Sequence, residues 1–175
     1  VMNALAAIAV ATEEGIDDAA ILTGLNAFAG VGRRFQVSET VTVDDMLVAL
    51  VDDYGHHPTE VEAVIQTARE VWPERRLAMV YQPHRYSRTQ DLFDDFVRVL
   101  SAVDALLLID VYAAGERRIN GADSKALAQA IRQRGQLSPI YAKDANEAFD
   151  LLPNFVAAED VLLVQGAGNV NIISN

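Results

Sequence analysis

Three short runs of this chain contain only apolar residues, and they constrain its fold more than any other feature. The runs are LVALV at 47–51, LLLI at 106–109 and VLLV at 161–164. A strand that keeps one face in water alternates apolar and polar residues, whereas a strand covered on both faces is apolar throughout. Segments with helical periodicity, such as 58–72, lie between the runs. We therefore predict an α/β fold, with a mostly parallel sheet and helices on both of its faces.

Turn and capping signals locate the other elements. We predict helices at 1–14, 17–28, 58–72, 89–100, 123–134 and from 144 onward, and strands at 35–43, 46–53, 77–82, 105–112, 139–142 and 161–165. The first two strands form an antiparallel hairpin that places one antiparallel strand at the edge of the sheet. The Gly-rich segment AGVGRRF at 29–35 coincides with a change from helical to strand patterns. We expect a domain boundary there, between residues 1–31 and 32–175.

Composition excludes several classes of protein. The formal net charge is −11 and the isoelectric point about 4.6, the opposite of the balance in a general nucleic-acid or anionic-membrane binder. Cysteine is absent, which excludes disulfide scaffolds, zinc ribbons and thiol catalysis. The apolar run that opens the chain stops at Thr12, too short to span a bilayer. We interpret it as the middle of a helix in a longer protein.

The segments that follow the predicted strands carry most of the polar chemistry. In open parallel sheets, ligands bind beyond the carboxyl ends of the strands. All three histidines follow two such ends, in DDYGHHPTE at 52–60 and PHRYSRT at 83–89. Arg85 and Arg88 lie three residues apart at a helix entrance, where they either clamp a carboxylate or phosphate or remain solvated surface charges. His56 is a candidate for orienting a substrate or accepting a proton near neutral pH.

Several motifs have a structural alternative. His57 fits a helix cap, because Pro58 suits the first helical position, and metal binding by the two adjacent histidines matches no standard spacing. GAGN at 166–169 begins like a dinucleotide fingerprint but lacks the third glycine, so a tight strand-to-helix turn is favoured. Arg33 and Arg34 either reach a phosphate or are ordinary surface charges. No G-x-x-x-x-G-K-[ST] motif occurs, so this chain contains no P-loop.

Taken together, these motifs resemble the C-terminal domain of the Mur ligase family. The resemblance covers nearly the whole chain in the family's order, through NALAAIAVA at 3–11, GRRFQ at 32–36, DDYGHHPTEV at 52–61, YQPHRYSRT at 81–89, DVYAAGE at 110–116, GADS at 121–124 and VQGAGN at 164–169. It implies a three-domain enzyme with a Rossmann-like C-terminal domain at 32–175. Residues 1–31 would then be the helical tail of the central, ATP-binding domain.

The resemblance also implies a reaction. The motifs are most similar to the branch of the family that joins L-alanine to UDP-N-acetylmuramate in peptidoglycan precursor synthesis. ATP first phosphorylates the lactyl carboxylate, and the alanine amine then attacks the acyl phosphate. ATP and Mg²⁺ would be bound mainly by the central domain, so we expect this chain alone to be inactive. The implied partners are small molecules, with no nucleic acid or membrane, and the implied location is cytoplasmic.

The family pattern assigns roles to matching positions. Tyr54, His56, His84, Arg85 and Arg88 are implied to form the L-alanine pocket, with Arg85 or Arg88 pairing with its carboxylate. His56 is implied to help deprotonate the ammonium group.

Asn3, Arg34 and Asp53 are implied to contact ATP, with Arg34 reaching its phosphates as the domains close. No metal ligand is implied in this domain. Asn169 stands where the family usually has an acidic residue, and the His-Asn pair expected just before residue 1 lies outside this chain.

Three alternatives stay open. One is the related ligase that attaches a recycled tripeptide to the same UDP-sugar, although PHRYSRT at 83–89 favours the alanine branch. A second is a nucleotide- or phosphate-binding Rossmann-like module without catalysis. The third is a dinucleotide oxidoreductase, which depends on GAGN alone.

Overall fold

The computed structural model describes residues 2–28, 30–135 and 137–174, and it divides them into two compact units. The first, up to Gly32, contains helices α1 (Met2–Glu13) and α2 (Asp18–Ala27). The left-handed φ of 74° at Gly15 ends α1, and Asp17 begins α2 by accepting a hydrogen bond from the Ala20 N–H. No side chain described in this unit is buried. Several apolar ones are 49–64% exposed, namely Leu5, Val10, Ile16, Leu22 and Phe28.

The second unit begins at Arg33 and is built on a six-stranded sheet. Its strands are β1 (Gln36–Val43), β2 (Met46–Asp53), β3 (Leu77–Tyr81), β4 (Ala105–Ile109), β5 (Ile140–Ala142) and β6 (Val161–Gln165). The spatial order is β1-β2-β6-β3-β4-β5. β1 pairs with β2 in antiparallel fashion at one edge, and every other pairing is parallel. The predicted α/β sheet with one antiparallel edge strand is confirmed.

Helices cover both faces of this sheet, as predicted. They are α3 (Pro58–Val71), α4 (Tyr86–Asp91), α5 (Phe93–Leu100), α6 (Ser124–Gln133), α7 (Ala145–Phe155) and a final 3-10 helix (Val170–Ile173). One core contains buried residues of α3, α5 and α6, and the opposite core contains those of α7 and the 3-10 helix. The apolar runs supply alternate residues to the two cores, with Leu106 and Leu108 in one and Leu107 and Ile109 in the other. This explains why those strands are apolar throughout.

Some predicted boundaries are wrong, and each has a local cause. The helix predicted at 89–100 begins earlier, at Tyr86. It is divided into two helices because Leu92 leaves helical geometry at φ −117°, ψ 26°. The strand predicted at 105–112 ends at Ile109, and the Asp110 carboxylate accepts the Val111 N–H. After GAGN the chain forms a short 3-10 helix (Val170–Ile173). No helix in the described parts of the chain combines the length and apolarity needed to cross a bilayer.

Candidate functional site

Two histidines and two tyrosines converge at the carboxyl edge of the sheet. Because β6 lies between β2 and β3, the segments that follow these strands face each other. The ring centroids of His56 and His84 are 5.7 Å apart. Tyr54 meets His56 edge-on at 5.6 Å, and Tyr112 stacks on His84 at 5.4 Å with 14° between the ring planes. The structure therefore brings together the two histidine-bearing loops, which are separate in the sequence, and we refer to the surface between their side chains as the pocket.

The third histidine caps α3. His57 Nδ1 accepts a hydrogen bond from the Thr59 N–H at 3.4 Å, and Pro58 occupies the first turn. The Glu60 carboxylate accepts the N–H groups of His56 at 2.8 Å and His57 at 3.0 Å. Burial acts to raise the pKa of Glu60, but these backbone hydrogen bonds, together with the charges of His56 and Arg34, outweigh it and hold the pKa below its usual value. The capping role predicted for His57 is confirmed, and Glu60 fixes the backbone that presents His56.

The two predicted arginines are held differently. Arg88 Nη1 donates to the His84 carbonyl oxygen at 3.0 Å and lies 3.3 Å from His84 Nδ1, so its guanidinium is anchored to the loop. The Arg85 side chain is 51% exposed, and its Nη1 lies 3.9 Å from Glu116 Oε1. Arg85 also has φ 73° and ψ 134°, a backbone conformation held by its N–H donating to the Tyr112 carbonyl. Arg85 therefore keeps about half of its side chain exposed, where a ligand can reach it.

Glu116 supports this loop, a role that sequence reasoning missed. Its carboxylate accepts the Ser87 N–H at 3.0 Å and the Ser87 hydroxyl at 2.7 Å. The backbone hydrogen bond from Ser87 is the largest cause that lowers the pKa of Glu116, so the side chain is a stable anion beside Arg85. The only signal in the sequence was the position of Glu116 after a strand.

A second group of charges lies beside the pocket and is paired internally. Arg33 Nε lies 3.2 Å from both carboxylate oxygens of Asp52, and Arg33 Nη2 donates to the Gly166 carbonyl at 2.7 Å. Burial raises the pKa of Asp52, and the Arg33 guanidinium offsets only part of this rise. Arg33 thus connects β2 to the turn after β6 rather than facing open solvent.

The Asp53 carboxylate accepts hydrogen bonds from more groups than that of Asp52 does. It is 4% exposed. Its Oδ2 accepts the Phe35 N–H at 2.8 Å, and its Oδ1 accepts the Gly55 N–H at 2.6 Å and Gln165 Nε2 at 3.0 Å. These bonds join three separate chain segments. A nucleotide contact by Asp53 stays a prediction, and such a contact would share oxygens that already accept three hydrogen bonds.

The other residues predicted to contact ATP are exposed. The Arg34 side chain is 53% exposed, lies 3.8 Å from Glu60 and places its guanidinium carbon 5.8 Å from the centre of the Tyr54 ring. Arg33 approaches the same ring at 5.3 Å. Asn3 is an exposed residue of α1, in the first unit.

The GAGN segment after β6 packs closely against Gln82 and Tyr112. A Cβ added at Gly168 would come within 2.3 Å of Gln82 Oε1 and 2.8 Å of Tyr112 Cβ, so a side chain does not fit there. Asn169 Oδ1 accepts a hydrogen bond from Gln82 Nε2 at 2.9 Å, which joins the ends of β6 and β3. The glycines are thus explained by close packing, as the structural alternative predicts. Within the described residues, no three His, Asp or Glu side chains are grouped so that they could hold a metal ion.

Comparison with known proteins finds ligases with related names, both among curated sequences and among solved structures. The UDP-N-acetylmuramate–L-alanine ligase of Methylococcus capsulatus is 53% identical over 174 residues, which is 99% of this chain and 37% of that protein. The crystal structure of the UDP-N-acetylmuramate-alanine ligase from Thermotoga maritima superposes with a TM-score of 0.68 at 26% identity, covering 98% of this chain and 35% of that one. A murein peptide ligase from Psychrobacter arcticus shares the fold, with a TM-score of 0.67 at 21% identity over 98% of this chain and 34% of that one.

The chain therefore spans well under half the length of these relatives. Residues 33–168 match the family described as Mur ligase, glutamate ligase domain. This range contains the whole sheet and both histidine-bearing loops. The chain accordingly belongs to the Mur ligase family, and the unit that begins at Arg33 is its glutamate ligase domain.

Proposed function

We propose that this chain is the amino-acid-binding part of the ATP-dependent ligase that joins L-alanine to UDP-N-acetylmuramate. The observation that carries the proposal is the 53% identity, over 99% of the chain, to the Methylococcus capsulatus enzyme of that name. The chain spans 37% of that relative and contains no P-loop motif, so we assign the P-loop and the UDP-sugar site to other domains of the whole protein. Residues 1–31 form the helical tail of the central domain, and their exposed apolar side chains are consistent with packing against it.

The pocket suits a zwitterionic amino acid. Arg85 and Arg88 supply positive charge in a chain of net charge −11, and guanidinium groups bind carboxylates through paired hydrogen bonds. Arg88 is already oriented by its two contacts with His84, so little side-chain freedom remains to be lost on binding. Arg85 is the more exposed partner and completes the clamp.

The amine end requires a proton acceptor. An ammonium group has no lone pair, so the alanine nitrogen must lose a proton before it attacks the activated carboxyl carbon. His56 lies across the pocket from His84, beside Tyr54, and its side chain is 25% exposed. It is the residue to which we assign the proton, because a neutral imidazole nitrogen has a lone pair that accepts one.

The phosphate end involves the exposed residues beside Tyr54. ATP phosphorylates the lactyl carboxylate, the alanine amine attacks the acyl phosphate carbonyl, and inorganic phosphate leaves. Arg34 is exposed and fits an anionic phosphate approaching from another domain, where it stabilises the charge that develops during transfer. Asn3 and Asp53 are assigned to the nucleotide on resemblance. ATP and Mg²⁺ are held mainly by the central domain, and the nucleotide substrates place the reaction in the cytoplasm.

The test uses the full-length protein that contains this chain. Phosphate release is measured with ATP, Mg²⁺ and UDP-N-acetylmuramate, and with L-alanine, glycine, L-serine or the tripeptide as acceptor. Release that depends on L-alanine, and that falls about tenfold or more in Arg85→Ala at an L-alanine concentration below the wild-type KM, supports both the reaction and the pocket. Release with the tripeptide but not with alanine would assign the protein to the recycling ligase instead. Residues 1–175 alone should release no phosphate, because they contain no P-loop.

A further inference from the structure

The Nδ1 atom of His56 faces an atom that can only accept a hydrogen bond. It lies 3.3 Å from the carbonyl oxygen of Tyr54 and 3.8 Å from Glu60 Oε2. A carbonyl oxygen has lone pairs and no proton, so a hydrogen bond here requires the proton on His56 Nδ1. A neutral imidazole carries one proton, and His56 Nε2 then has a free lone pair.

The Nδ1 atom of His84 faces the opposite kind of partner. It lies 3.3 Å from Arg88 Nη1, and a guanidinium can only donate. The same Nη1 is held at 3.0 Å from the His84 carbonyl oxygen, and Tyr112 stacks on the ring, so the ring orientation is fixed on both sides. His84 Nδ1 therefore presents its lone pair to Arg88, and His84 Nε2 carries the proton.

We propose that the neutral forms of His56 and His84 are held in opposite tautomers, which makes His56 Nε2 the only imidazole proton acceptor of the pocket and His84 Nε2–H a hydrogen-bond donor. The proposal rests on the proposed function for the identity of the ligand and adds the atoms that act on it. The N–H bond of the ammonium breaks, its electron pair stays on the amine nitrogen, and the proton bonds to His56 Nε2. His84 instead donates to an acceptor atom of the ligand.

The surrounding charges favour this division. The groups that face His84 are His56 across the pocket, Arg85 and Arg88 on its own segment, and Glu116 with Tyr112 on the loop after β4. Burial and then the charges of His56, Arg88 and Arg85 lower the pKa of His84. A proton arriving on His56 instead gives an imidazolium whose Nδ1–H faces the Tyr54 carbonyl and the Glu60 carboxylate.

The tautomers are measured directly by long-range ¹H–¹⁵N NMR of the chain labelled with ¹⁵N-histidine, at a pH where the imidazoles are neutral. The chain has three histidines, and His56→Gln and His84→Gln assign two of the signals. His57 is the internal control, since its Nδ1 accepts the Thr59 N–H and it must carry its proton on Nε2. We expect the Nδ1–H pattern for His56 and the Nε2–H pattern for both His57 and His84. The same tautomer in His56 and His84, or the reverse assignment, would overturn the proposal.

A kinetic comparison in the full-length protein gives a second readout. Glutamine can replace an Nε2–H donor but cannot take up a proton as imidazole does. We expect His56→Gln to lower kcat at least a hundredfold and to remove the acidic limb of the kcat profile. His84→Gln should act mainly on the KM for the amino acid and keep that limb.

Equal losses of kcat in the two variants would contradict the division. Opposite tautomers in a protein that does not use L-alanine would leave this inference standing and remove the proposed function. L-alanine turnover with identical tautomers would do the reverse.

Discussion

Two groups of charged residues lie side by side at the carboxyl edge of the sheet, and they are used in opposite ways. In the carboxylate frame (Arg33, Asp52, Asp53 and Gln165), the carboxylates and the arginine are paired inside the domain. In the histidine pocket (Tyr54, His56, His84, Arg85 and Arg88), each side chain keeps part of its surface exposed. Only Tyr54 and Gly55 separate Asp53 from His56. A polar motif near a ligand site thus contains both residues that build the loop and residues left for the ligand.

The strongest test of this contrast is removal of a frame carboxylate. Asp53→Ala leaves the Phe35 N–H, the Gly55 N–H and the Gln165 amide without their acceptor. We expect the free energy of unfolding to fall by about 3 kcal/mol or more, since each buried unpaired donor costs ~1–3 kcal/mol. Urea unfolding measures the change. Asp150→Ala, an exposed carboxylate of α7, is the matched control and should stay within about 0.5 kcal/mol. Similar losses in the two variants would mean that the frame is not structural.

Arg85→Ala tests the other side of the comparison, because it should weaken binding of the amino acid and leave the free energy of unfolding nearly unchanged. Loss of a charge-assisted contact with the amino-acid carboxylate is worth ~1.5–3 kcal/mol, so the KM for L-alanine should rise about tenfold to hundredfold in the full-length protein. Arg98→Ala is the control, because Arg98 pairs with Glu62 and Asp95 on α3 and α5. If instead kcat fell and the KM were unchanged, Arg85 would not be the carboxylate contact.

Glu116 should give a smaller effect, because it acts through the loop. Glu116→Gln removes the charge beside Arg85 and weakens the pair of hydrogen bonds to Ser87. We expect the KM for L-alanine to rise about threefold to tenfold, with little change in kcat. Steady-state kinetics with Ser87→Ala as the companion variant should show a rise of similar size. Unchanged KM values in both variants would remove the positioning role.

The smallest expected effect is on the pH dependence of stability. Because the folded state lowers the pKa of His84, its contribution is present above the ordinary value of 6.5 and is lost as the pH falls toward the folded value. Wild type should therefore lose more stability than His84→Gln between about pH 7.5 and 5. Solvent screening at this partly exposed ring limits the difference to ~0.5 kcal/mol. Urea unfolding at several pH values measures it, and a difference of the opposite sign would mean that the pocket favours charged His84.

Most of the fold was predictable because its signals are local. Runs that are apolar on every residue indicated strands between two layers of helices, and Pro58 after His57 indicated the start of α3. The break between α4 and α5 was not predicted, because Leu92 fits the apolar face of one continuous helix. Because both histidine loops follow parallel strands, they were expected at the same edge of the sheet, but the distance between their side chains could not be predicted.

The sequence by itself determined the α/β class, the edge hairpin, the caps of several helices and the two loops that carry the histidines. Only the tertiary structure decided which side chains of those loops are hydrogen-bonded or ion-paired within the domain and which are left for a ligand. The Asp53 carboxylate accepts a hydrogen bond from Gln165, which lies 112 positions away along the chain but adjacent to Asp53 in the sheet. Glu116 reaches Ser87 across 29 residues in the same way. Hydrogen-bond partners brought together by strand order leave no local pattern, so neighbouring charges of similar type in the sequence have different roles in the fold.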